Sequence, residues 1–104
     1  MKFKVFATPS AQAQIRKLGA WWRANREKNP KAFSDGMRRV RLLLSEQPYI
    51  GTHVSEPDIV GLRSYPIKPT PYLVFYVLDV AKEIVMIEAV HSSIVQGGPK
   101  IRPQ

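Results

Sequence analysis

Tyr72-Leu73-Val74-Phe75-Tyr76-Val77-Leu78 is apolar or aromatic at every position and is the longest such run in the chain. A strand with no polar alternate is covered on both faces, so this segment is expected at the centre of a sheet. Leu62 to Ile67 precedes it across Lys68-Pro69-Thr70-Pro71, and Glu83 to His91 follows it across a polar turn from Asp79 to Lys82. Connections this short join antiparallel neighbours, so the three segments predict a meander. In the last of them Ile84, Met86, Glu88 and Val90 alternate with Val85, Ile87, Ala89 and His91, which places Glu88 and His91 on opposite faces. The central run is far shorter than the roughly 20 residues that span a bilayer, and no membrane association is expected.

Upstream of the meander the period of the pattern changes. Lys2-Phe3-Lys4-Val5-Phe6 alternates and predicts a short strand with Phe3 and Val5 on one face. Thr8-Pro9 supplies an N-cap followed by proline at the first helical position, and Ala11, Ile15, Leu18 and Trp22 then recur at helical spacing. Asn29-Pro30 repeats the cap-then-proline signal ahead of Phe33, Met37, Val40 and Leu44, and Pro48 forbids continuation. Two amphipathic helices on a tight link predict an antiparallel hairpin. Leu42 lies nearly opposite the second stripe and is expected to be exposed, while Trp21 sits at the boundary of the first. Residues 48–61, with Pro48, Gly51, Pro57 and Gly61, read as a loop made locally acidic by Glu56 and Asp58.

The expected fold is α+β: an N-terminal strand, an antiparallel helical hairpin, then a three-stranded antiparallel meander forming one sheet with the hairpin packed on it. A length of 104 residues with 44% hydrophobic content suits a single domain with one core. That domain is placed at residues 1–91, followed by a basic tail at 92–104 carrying Lys100 and Arg102. Absence of cysteine excludes disulfides, thiolate metal centres and a thiol nucleophile, and it points to the cytoplasm. The net charge of +8 is unevenly spread: residues 1–41 sum to +9 and residues 42–104 to −1. A basic half draws in polyanions, which means nucleic acid or an acidic protein segment.

Motifs for catalysis are sparse. The chain has no glycine-rich phosphate loop, and His53 and His91 belong to no metal-binding pair, so no metal or cofactor is expected. One set has chemical meaning: His91 at a strand end, with Arg63, Tyr65 and Tyr76 on neighbouring strands. Histidine titrates near neutrality and arginine clamps phosphate oxygens, so the set suits proton transfer beside a phosphate. The structural alternative has the tyrosines packing, Arg63 pairing with an acid such as Glu88, and His91 in an ordinary hydrogen bond.

Several stretches, in order, carry a resemblance: Asn29-Pro30-Lys31-Ala32, Pro48-Tyr49-Ile50-Gly51, Gly61 to Ile67, Pro71 to Tyr76 and Ile87-Glu88-Ala89-Val90-His91. Together they resemble the RelE/ParE toxin superfamily, the toxin halves of bacterial type II toxin–antitoxin pairs, over almost the whole chain. The resemblance implies one of two activities. RelE-like members are ribosome-dependent mRNA endonucleases, and ParE-like members inhibit DNA gyrase by binding. Leu62-Arg63 and the Pro71-to-Tyr76 strand look like the ParE branch, because the nuclease branch usually carries an arginine where this chain has Tyr72 or Leu73. Many ParE-like toxins also follow the last-strand histidine with arginines, whereas this chain continues His91-Ser92-Ser93-Ile94-Val95.

On that resemblance the expected target-binding residues are Arg63, His91, Lys100 and Arg102. The nuclease alternative would use Arg63, Tyr76 and His91 against mRNA on the ribosome. A third reading is a non-toxic basic binding domain. The resemblance further implies a cognate antitoxin with an acidic, amphipathic segment, for which Trp21, Arg38, Arg41 and the off-stripe Leu42 are the expected contacts.

Overall fold

The structure, a computed structural model, describes residues 2–92. Its elements run β1 (Lys4–Ala7), α1 (Pro9–Asn25), α2 (Ala32–Glu46), β2 (Thr52–His53), β3 (Arg63–Ile67), β4 (Tyr72–Asp79) and β5 (Ile84–Ser92). The five strands form one mixed sheet in the order β1-β5-β4-β3-β2. β3, β4 and β5 are the antiparallel meander, β1 joins β5 in parallel, and β4, apolar from Tyr72 to Leu78, is the middle strand. Of the tail, only Ser92 lies within the described residues, where it closes β5; Lys100 and Arg102 lie outside them.

The helices cover one face of the sheet. Phe33, Met37, Val40 and Leu44 of α2 and Ala11 and Trp22 of α1 are buried against Val74, Tyr76, Val85, Ile87 and Val90. α1 starts where its sequence says: the Thr8 hydroxyl accepts from Ala11 N–H at 3.1 Å, with Pro9 next in line. α2 starts later than its proline suggests. Lys31 occupies the cap position without a side-chain bond, and the Asn29 carbonyl instead accepts from the Trp22 indole N–H at 2.9 Å, so Asn29-Pro30 belongs to a turn that the indole fixes. Gly36 lets α2 approach β3 closely, because a Cβ there would meet Ile67 Cγ2 at 2.8 Å and the Lys68 carbonyl at 3.0 Å.

Two expectations are corrected. The loop at 48–61 contributes the edge strand β2 and folds under the sheet, where Val54, Ile59 and Leu62 cover Phe75 and Ala89 on the face away from the helices. The strict alternation expected in β5 also fails. Tyr76 pairs with Ile87 but Phe75 pairs with Ala89, so Glu88 is the extra residue of a β-bulge. The bulge shifts the phase: Val85, Ile87 and Val90 face the helices, while Ala89 joins the cluster on the other side.

Candidate functional site

The expected acid–base set is divided by the sheet. Tyr76 points into the helix-side core and is fully buried. Its hydroxyl accepts from Gly51 N–H at 2.9 Å and donates to the Pro48 carbonyl at 2.8 Å. Burial raises its pKa above the ordinary 10.0, against the smaller opposing effects of the Gly51 hydrogen bond and the nearby Arg63 charge. Arg63, directly across from Tyr76 in the ladder, reaches the same turn. One of its terminal nitrogens donates to the carbonyls of Tyr49 (3.0 Å) and Gly51 (2.9 Å), and its guanidinium lies 5.5 Å from the Tyr49 ring centroid. Arg63 therefore finds backbone carbonyls and an aromatic face here, where the sequence suggested an acid such as Glu88.

His91 pairs with Leu73, which belongs to the cluster on the opposite face from Tyr76. Its Nδ1 lies 3.3 Å from the Ser92 carbonyl. Arg63 and Tyr76 are thus brought together, around the 48–51 turn, and His91 is not brought to them. Glu88, in the bulge, has its pKa raised by burial. Among the described residues no group of three or more histidines and carboxylates is placed to hold a metal ion, and no helix is long and apolar enough to cross a membrane.

The expected partner-binding residues fall on three surfaces. Arg38 and Arg41 line a groove between α1 and α2. Ile15, Phe33 and Met37 form its apolar floor, and Arg16 and Arg23 complete a rim of four guanidiniums. Sequence reasoning left out Arg16 and Arg23, although their spacing of seven along α1 beside the buried stripe was the available signal. Leu42, 59% exposed, lies in a shallow recess beside β1 with Phe6, 47% exposed, and Arg41 borders both this recess and the groove. Trp21, 44% exposed, stands apart from both, with the Arg26 guanidinium over its ring.

A family model for the ParE toxin of the type II toxin–antitoxin system parDE matches residues 5–93. No curated protein matches the sequence closely enough to count as a relative. Solved structures with the same fold include the toxin–antitoxin complex RelBE2 from Mycobacterium tuberculosis, at 19% identity and TM-score 0.66 over 88% of this chain and 99% of that one. A mutant of the E. coli toxin RelE in the free state is similar at 14% identity and TM-score 0.67, over 92% and 88% of the two chains. The chromosomal ParDE system of P. aeruginosa is similar at 17% identity and TM-score 0.67, over 88% and 96%.

Proposed function

The chain belongs to the ParE toxin family of type II toxin–antitoxin systems, and from that premise we propose that it arrests growth by binding DNA gyrase and is held inactive by a cognate antitoxin. One observation carries the choice of binding over RNA cleavage. Two of the three groups a nuclease would use are committed to structure, the Tyr76 hydroxyl bridging Pro48 and Gly51 and Arg63 holding two carbonyls of the same turn, and the third, His91, lies on the other face of the sheet. A general base must reach the proton it abstracts, and a phenol sealed in the core does not. Arg63 retains a part in target binding through the turn it fixes, which presents Tyr49 and Ile50 to solvent.

The antitoxin reading rests on the groove between the helices. An amphipathic acidic helix or extended segment has an apolar side chain for the half-buried Ile15, above the core residues Phe33 and Met37, and carboxylates for the arginine rim. Arg38 and Arg41 then act in the groove, and Leu42 and Trp21 offer separate contacts to the ends of a wrapping chain.

The test is supercoiling by purified gyrase with and without the protein. Inhibition or accumulated cleavage complexes, relieved by the antitoxin, is the expected result. Unimpaired supercoiling together with cut messages in a translating extract would return the chain to the nuclease branch.

A further inference from the structure

The antitoxin groove takes only part of the positive charge on the hairpin, and a different surface forms at its tip. There the Arg26 guanidinium lies 5.1 Å from the Trp21 ring centroid and 5.4 Å from that of Trp22, with the two indoles 6.0 Å apart. The two tryptophans play opposite parts. Trp22 is buried, with its N–H given to the Asn29 carbonyl and its ring edge-on to Tyr72, whereas Trp21 is 44% exposed. The connection between the helices adds Lys28 and Lys31 against a single acid, Glu27. Beside it a recess is lined by Trp22, Asn25, Arg26, Lys28 and Asn29 among others. Among the described residues the ion pair that forms is Arg38 with Asp35, and Glu27, which also lines the recess, makes none with the cations of the tip.

This chemistry differs from that of the groove. The groove has an apolar floor under its charges and suits an amphipathic peptide. The tip has an exposed indole, guanidinium and ammonium groups, and side-chain amides. An aromatic platform in a positive field suits a nucleobase with its phosphates. A duplex offers no free base face, so the ligand must be unpaired. We propose that the hairpin tip binds single-stranded nucleic acid, with a base stacked on Trp21 and the backbone phosphates taken by Arg26, Lys28 and Lys31. The site is independent of the gyrase reading and stands or falls separately from it, and because it uses Trp21 it competes with the end of a wrapping antitoxin for that indole but leaves the groove free.

Tryptophan fluorescence of the full chain tests it, since Trp21 is the exposed member of the only two tryptophans. Oligothymidylate or oligouridylate should quench the emission and bind more weakly as salt rises. An abasic oligomer of the same length and polyglutamate of the same charge should bind about 5- to 150-fold more weakly without quenching, the factor expected for one stacked base. Trp21→Ala should lose the quenching and about the same factor in affinity. Arg26→Gln and Lys28→Gln should each flatten the salt dependence by about one phosphate contact. The proposal is overturned if oligomers leave the fluorescence unchanged, or if the abasic oligomer or polyglutamate binds the unaltered chain as tightly as the base-bearing strands.

Discussion

Tyr76 shows how a single hydroxyl can decide what a residue is for. Its O–H both accepts from Gly51 and donates to Pro48, so Tyr76→Phe leaves a buried N–H and a buried carbonyl without their partner. The expected cost is about 1–3 kcal/mol, read as a lower urea midpoint. Gly51→Ala should cost more, because its Cβ would land on that hydroxyl and 2.9 Å from the Ser64 carbonyl. The raised pKa has a definite sign. Folded Tyr76 holds its proton more tightly than the unfolded chain does, so its contribution is complete below the ordinary value of 10.0 and is lost as pH rises through the folded value. Tyr76→Phe should flatten the loss of stability above about pH 10. Glu88 follows the same rule in a lower window: its contribution is present below the ordinary 4.5 and lost as pH rises through its raised value, because burial penalises the charged form. Glu88→Gln should therefore raise Tm at about pH 7, with the gain vanishing near pH 4; an equal gain at both would show that burial of the charge is not the cause.

At the scale of elements, the legible parts were those written in repeating side-chain patterns. Phe33, Met37, Val40 and Leu44 are all buried as their spacing required, Leu42 is exposed, and the apolar Tyr72–Leu78 run is the middle strand. Thr8 caps α1, and Thr8→Ala should cost about 1 kcal/mol in the same urea measurement. Leu42→Asp, by contrast, should change stability by less than about 0.5 kcal/mol, since it removes little buried area. The illegible parts depend on partners distant in sequence. β2 is two residues long and exists because Thr52 and His53 meet Ser64 and Arg63. The Glu88 bulge is invisible to alternation because both phases of β5 are apolar around it. The site was readable as residue types and not as geometry: Arg63 and Tyr76 do meet, but His91 faces the other way because the bulge resets which side chains share a face.

For the whole molecule, the asymmetry between +9 in residues 1–41 and −1 in the remainder becomes an asymmetry of layers. The helical layer carries the field, and the sheet beneath carries the core. The arginines along the inter-helix groove are mostly on exposed or half-exposed side chains, and Arg38 pairs with Asp35 at 3.1 Å while both remain solvated. Such a pair adds little stability, so the charge of this layer has its effect in association. Long-range attraction of an acidic partner acts chiefly on the encounter rate and is screened by salt over about 8–10 Å. Reversing two rim charges, Arg16→Glu with Arg41→Glu, should slow association with the antitoxin by roughly tenfold or more at low salt, with the two proteins converging at high salt. The urea midpoint should remain within about 0.5 kcal/mol of the unaltered chain, because neither arginine is buried. Stopped-flow binding across a salt series separates the outcomes. An unchanged association rate would move the antitoxin off the groove and onto the Leu42 and Phe6 recess, where apolar contact and not steering would set the affinity.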